Sequence, residues 1–190
     1  MYYFHGNCRK CTEKIVGDLV REGKTRFIIY GFGDAGMKVK SILNVCMGIQ
    51  EHLVVDDSHE GLPERWTSDP EGMYSTGGVL PDVKPNVQLI RGWFEETLPR
   101  FLKEHGEKCS FIHIDCDLYS SARTVLSGLR ERIVPGTVIV FDEYFNYPGW
   151  QQHEYRAFQE FTEESGTAYE YIGYCKDGQH AAVRITEVQK

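Results

Sequence analysis

The chain of 190 residues has no apolar run that approaches the ~20 residues a membrane-spanning helix needs. Its first residues, MYYFHGNCRKC, lack an apolar segment behind their positive charges, so no secretory signal is expected there. Basic residues are in deficit. With 21 Lys and Arg against 28 Asp and Glu, the formal net charge is −7, which argues against a large nucleic-acid footprint. Internal repeats and low-complexity stretches are missing too. No second C-x-x-C pair accompanies Cys8 and Cys11, so with His5 they make a weak zinc site, and residues 1–9 are expected to be frayed. The six cysteines fall at 8, 11, 46, 109, 116 and 175, several of them inside apolar runs. Without an export signal they read as reduced thiols of a cytoplasmic protein.

What is present is an ordinary globular composition, 41% hydrophobic and 26% charged, in a chain long enough for one substantial core. A single domain is expected over 1–190. Apolar residues at helical spacing predict helices over 10–22, 35–48, 93–104, 120–132 and about 150–165. Short β-rich runs predict strands over 26–30, 51–57, 87–90, 109–115, 137–141, 168–174 and 181–186. Residues 58–86 hold four prolines, four glycines and little periodicity; a loop that long inside a compact domain is usually functional. Strand and helix alternate, and a final strand pair closes the chain. That order predicts an α/β fold with a mostly parallel sheet, helices on both faces and an antiparallel last strand.

Two features carry chemistry. Gly31, Gly33 and Gly36 form G-x-G-x-x-G between a predicted strand and a predicted helix. Such a turn brings backbone and helix N-terminus close to a ligand. Asp56 and Asp57 end the next strand, where a carboxylate can accept hydrogen bonds from both ribose hydroxyls of a nucleotide. The turn alone does not choose between NAD and S-adenosylmethionine.

The second feature is acidic. Asp115 and Asp117 follow the apolar run 111–114, and Asp142 and Glu143 follow 137–141. Ligands of open parallel sheets bind beyond the carboxyl ends of strands, so these acids converge on one rim. Crowded carboxylates repel, and a hard cation such as Mg²⁺ relieves the repulsion. The competing reading makes Asp117 a helix N-cap and leaves the others solvated.

These residues, with EGLPERW at 60–66, GGVLPDVKPNVQLIRGWFEETLP at 77–99, HIDCDLYSSA at 113–122 and GTVIVFDEYFNYPGWQQHEYRAFQEF at 136–161, carry a resemblance. From about residue 56 to the C-terminus the chain resembles class I S-adenosylmethionine-dependent methyltransferases of the macrocin O-methyltransferase type. The resemblance implies a Rossmann-like, doubly wound sheet of seven strands. It implies that Asp57 holds the cofactor ribose, with Gly92 and Trp93 near the adenine. By analogy with related sugar O-methyltransferases it implies a divalent metal on Asp115, Asp142 and Glu143, with Asp117 as general base. Asp115 also borders the cofactor site.

Two positions depart from the family pattern. Tyr30 stands where an acid usually precedes the first glycine turn, and the pair after the fifth strand is Asp-Glu instead of Asp-Asp. The chain also begins only one helix before its first predicted strand, so the fuller N-terminal lid is not expected.

The implied activity is O-methylation of a small hydroxylated acceptor, a sugar or glycosylated natural product, by S-adenosylmethionine with Mg²⁺. His153 is a second base candidate, set against a helix-surface histidine. Aromatics of 144–150 either wall the acceptor pocket or cover the sheet end. Loop 58–86 and segment 144–153 are expected to set acceptor choice, and a homo-oligomer is compatible with the resemblance. Two other classes remain open. A nicotinamide-dependent oxidoreductase would explain the glycine turn, although no Tyr-x-x-x-Lys completes it. A binding protein that has lost turnover would explain the altered first motif.

Overall fold

The computed structural model describes residues 2–4, 8–23, 26–30, 51–55, 61–75, 77, 79 and 87–189, without the side chains of 2–4, 8–11, 26–30, 51–55, 87 and 88. Eight strands among them form one mixed sheet. They are β1 (Tyr2–Phe4), β2 (Arg26–Tyr30), β3 (Glu51–Val55), β4 (Val87–Ile90), β5 (Phe111–Ile114), β6 (Val138–Phe141), β7 (Ala168–Cys175) and β8 (Ala181–Glu187). The order across the sheet is β1-β7-β8-β6-β5-β2-β3-β4. β8 runs antiparallel to β6 and β7, and every other neighbouring pair is parallel. The described helices are α1 (Cys8–Arg21), α2 (Phe94–Glu104), α3 (Tyr119–Gly128) and α4 (Glu154–Ser165). None is long and apolar enough to cross a membrane.

The eighth strand corrects the expected seven, and the expectation that residues 1–9 fray. Tyr2, Tyr3 and Phe4 pair in parallel with Gly173, Tyr174 and Cys175 at the edge of β7. Three residues are too few to show a period of two, so periodicity could not find this strand. Pairing gives the outer backbone of β7 partners that an open edge would lack. The cysteine expectation also changes. Cys109 and Cys116 are free and buried, but Cys175 is disulfide-bonded.

The core is built where the pattern predicts it. All four residues of β5 and all four of β6 are buried, which requires cover on both faces of these strands. Phe94, Leu98 and Phe101 of α2 join Ala122, Val125 and Leu126 of α3 and Ala157, Phe158 and Phe161 of α4 in one cluster with β5, β6 and β8. The spacing of three and four residues puts each set on one helix face. The expected helices over 120–132 and 150–165 are shorter than predicted. α3 tightens into a 3₁₀ turn at Arg130–Arg132, and a 3₁₀ turn at Trp150–Gln152 precedes α4. The predicted helix 35–48, Gly31, Gly33, Gly36, Asp56, Asp57 and parts of the 58–86 loop lie outside the described residues.

Candidate functional site

The carboxyl ends of β5 and β6 lie side by side because Ile114 pairs with Phe141. The chain beyond each strand therefore starts from the same edge, and the Asp142 amide donates to the Ile114 carbonyl at 2.9 Å. Asp115 and Asp117 are two residues apart, and Asp142 and Glu143 are adjacent. In extended backbone, neighbours point to opposite faces and alternate residues to the same one. Adjacent Asp142 and Glu143 diverge as that rule requires, whereas Asp117 lies beyond the extended segment, at φ +58°. One carboxylate oxygen from each of Asp115, Asp117 and Glu143 comes within 4.8 Å of the others, all three side chains being buried. Asp142 is turned elsewhere. Its Oδ1 lies 2.6 Å from His180 Nε2 and 3.3 Å from His113 Nε2.

The local backbone supports this placement. Asp117 has φ +58°, a left-handed conformation uncommon outside glycine but accessible to aspartate. The Leu118 amide folds back to the Cys116 carbonyl at 2.5 Å, so the chain turns sharply between the two aspartates and α3. Leu118 is the N-cap of α3 and makes no side-chain cap, so Asp117 does not occupy the N-cap position.

Electrostatics separate the two acids after β6. Burial alone would raise the Asp142 pKa, but the His180 and His113 imidazoles outweigh it and hold the carboxyl well below its ordinary range. Glu143 goes the other way. Burial, then the charges of Asp142, Asp115, Asp117 and Glu154, push its pKa well above the usual value. Its Oε2 is buried without a hydrogen-bond partner among the described residues.

Around the carboxylates lie aromatic rings from two distant segments. Trp66 packs edge-on against Tyr147 at 5.5 Å and against His153 at 6.4 Å between ring centroids. The Tyr147 hydroxyl donates to the Glu143 carbonyl at 3.2 Å, which ties this wall to the acidic edge. His153 stands at the N-cap position of α4 without a side-chain cap bond and is half-buried, and burial lowers its pKa against the opposing charge of Glu64.

The described part of the long loop is folded, not open. Leu62 is buried, its amide donates to the Met73 carbonyl, and Trp66 and Asp69 form an isolated bridge. At Gly61, φ is +88° and a Cβ would lie 2.4 Å from the Met73 carbonyl oxygen, so the loop closes only around a glycine. Ser120 at the start of α3 donates to Glu64 at 2.6 Å and anchors the loop to the site.

Gly92 and Trp93 precede α2. Gly92 takes φ +136°, and a Cβ there would meet Thr97 Cγ2 at 2.8 Å. Trp93 lines a cavity of about 300 Å³ with Pro63, Glu64, Phe94, Glu95, Ser120 and Ser121. The cavity thus joins the loop, the start of α2 and the start of α3.

Sequence reasoning passed over His180 and Glu154. Glu154 is fully buried at the start of α4, and accepts the Cys116 amide at 3.1 Å and the Glu143 amide at 3.2 Å. His113 is 1% exposed and faces Asp142. No local signal marks His180 or Glu154, because each reaches the site from a distant segment of the chain.

Comparison with known proteins finds similarity over the segment that carries this edge. Residues 79–170 match the macrocin-O-methyltransferase (TylF) family. A curated relative from Streptomyces olivaceus, 8-demethyl-8-(2,3-dimethoxy-alpha-L-rhamnosyl)-tetracenomycin-C 4'-O-methyltransferase, is 28% identical over an alignment of 162 positions. That alignment covers 73% of this chain and 59% of the relative, so the chain spans about three fifths of that protein. Demethyldecarbamoylnovobiocin O-methyltransferase from Streptomyces niveus is 26% identical, over 83% of this chain and 67% of its own length. The fold is shared with the O-methyltransferase NovP, with a TM-score of 0.68 and 18% identity over 94% of this chain and 79% of that one. It is shared also with CalS11, a calicheamicin methyltransferase, at 0.70 and 16% over 92% and 77%. The match to the macrocin O-methyltransferase family thus falls on residues 79–170, which contain both acid-bearing strand ends.

Proposed function

We propose that this protein is an S-adenosylmethionine-dependent O-methyltransferase. Its acceptor is a hydroxyl of a small molecule, a sugar or glycosylated natural product, and a divalent cation assists at the acidic edge. The observation that carries the reading is the convergence of Asp115, Asp117 and Glu143 within 4.8 Å, inside the segment that matches the family. The two curated relatives are named as O-methyltransferases of a rhamnosyl tetracenomycin and of a novobiocin precursor. The doubly wound, single-domain architecture over 1–190 belongs to the same reading.

The residues present fit a hard cation. The donors are all carboxylate oxygens, which Mg²⁺ prefers. Glu143 Oε2 is buried without a hydrogen-bond partner among the described residues, and its carboxyl is crowded by other acids. Asp115 and Glu143 would hold the ion. A contribution from Asp142 would come from Oδ2, because Oδ1 faces His180 and His113. A cation there would lower the pKa of an acceptor hydroxyl.

S-adenosylmethionine, when bound, supplies a methyl carbon on a sulfonium for in-line displacement. The chain's task is alignment and proton removal. Gly31, Gly33, Gly36 and Asp57 are proposed to hold the nucleoside, and Trp93, which follows Gly92, borders the cavity of about 300 Å³ for its base. Asp117 takes the hydroxyl proton as the acceptor oxygen bonds the methyl carbon. His153, beside Trp66 and Tyr147, is the second base candidate and lies on the acceptor side.

The test is calorimetric binding of S-adenosylmethionine and NAD to the chain, with and without Mg²⁺, followed by methyl transfer to a panel of hydroxylated sugars. Binding of S-adenosylmethionine with transfer that EDTA stops is the expected result. NAD binding alone would replace the reading with an oxidoreductase. If neither ligand binds, the altered motif at Tyr30 has cost the cofactor site.

A further inference from the structure

Glu154 is 0% exposed, and its environment is not that of a structural salt bridge. Its neighbours at the site are carboxylates, whose charges work against its own. What it touches are two backbone amides. Oε1 accepts the N–H of Cys116, the residue between Asp115 and Asp117, at 3.1 Å. Oε2 accepts the N–H of Glu143 at 3.2 Å. One carboxylate therefore spans the ends of β5 and β6 from the first residue of α4. At that position the helix N-terminus favours negative charge.

Those two amides belong to the segments that carry the acidic cluster. The segment after β5 turns through a left-handed Asp117, and the segment after β6 carries Glu143, whose buried Oε2 has no partner among the described residues. We infer that Glu154 is a positioning residue: by holding the Cys116 and Glu143 amides it sets the separation between Asp115 and Asp117 on one side and Glu143 on the other. The inference rests on the reading of this cluster as a cation site. Groups that orient metal ligands typically change metal affinity about 10- to 100-fold when altered.

Glu154→Gln tests it, because an amide keeps the size but presents one N–H₂ group to an N–H donor. Mn²⁺ is titrated into the full chain and followed by loss of the free-ion electron paramagnetic resonance signal. The expected result is Mn²⁺ affinity about 10- to 100-fold weaker than wild type. Equal affinity overturns the inference, since a side chain that only stabilised the fold would change the melting temperature and leave uptake intact. In parallel, the Cys116 and Glu143 amide protons should resonate downfield in the wild type, as hydrogen-bonded amides do, and at least one should move upfield in E154Q. Unmoved amides overturn the holding role. If the wild type takes up no Mn²⁺, the cation reading falls, and the amide shifts alone decide whether Glu154 spans the two strands. Should E154Q fail to fold, Glu154→Asp decides. Its arm is one methylene shorter and reaches a single amide, so its Mn²⁺ affinity should fall; wild-type affinity in E154D overturns the inference.

Discussion

Asp142 and Glu143 are consecutive, both buried, and both at the end of β6. Yet Asp142 meets two imidazoles, while Glu143 meets carboxylates. On one side of the strand end the protein has neutralised a buried acid with its own groups. On the other it has gathered acids and left a carboxylate oxygen without a hydrogen bond from any described residue. A fold selected for stability alone has no use for the second arrangement, because buried like charges cost free energy. The contrast teaches where to look: the self-satisfied side reads as scaffold, and the unsatisfied side reads as the place where something from outside belongs.

The sharpest way to break this contrast is at Asp117, on the unsatisfied side. Asp117→Asn keeps the shape and removes the proton acceptor. Turnover of a methylated acceptor should fall at least about 100-fold, the usual scale of general-base catalysis, with S-adenosylmethionine affinity unchanged. Full turnover in a variant that still binds cofactor would remove Asp117 from the base role and move His153 forward.

The satisfied side predicts a stability effect. His180→Ala removes the nearer of the two imidazoles that face Asp142 and keeps His113, at the longer distance of 3.3 Å. A hydrogen bond to a buried charge is worth about 2 kcal/mol, so urea unfolding at pH 7 should show a loss of that order. The pH dependence carries a sign. The folded pKa of Asp142 is depressed, so its contribution is present above the unfolded value of 3.8 and is lost as pH falls through the folded value. Removing His180 raises the folded value, and acid unfolding should begin at a higher pH. An unchanged acid limb would mean that His180 does not hold Asp142.

Much of this was legible beforehand, for physical reasons. β5 and β6 are continuous apolar runs because strands buried on both faces have no reason to alternate. α2, α3 and α4 showed their buried faces through spacing. That the acids after β5 and β6 share one edge followed from the rule that ligands of parallel sheets bind at the carboxyl ends. The partition among the four acids did not follow, because it depends on what arrives from elsewhere. His180 comes from the connection between β7 and β8, and Glu154 comes from a helix start where glutamate is normally solvated. Burial of such a residue is decided by tertiary packing, not by local pattern. β1 was illegible for a different reason: three residues paired to a distant edge leave no local signature.

The smallest predicted effect sharpens the comparison on the Glu143 side. The folded pKa of Glu143 lies above its unfolded value of 4.5, so the folded state binds the extra proton. Its contribution to stability is therefore fully present below the unfolded pKa and is lost as pH rises through the folded value. Metal-free protein should lose stability on going from pH 5 towards pH 8 through this group, the reverse of the dependence that Asp142 imposes at acid pH. Glu143→Gln cannot titrate, so its melting temperature in EDTA should be flatter across that range than the wild type's. The same measurement in excess Mg²⁺ separates crowding from purpose. A cation that takes the place of the proton should raise the wild-type melting temperature most at the alkaline end and leave E143Q nearly unmoved. A wild-type profile already flat in EDTA would mean that the neighbouring acids do not burden Glu143. The two sides of the β6 terminus would then differ in their partners but not in their electrostatic state.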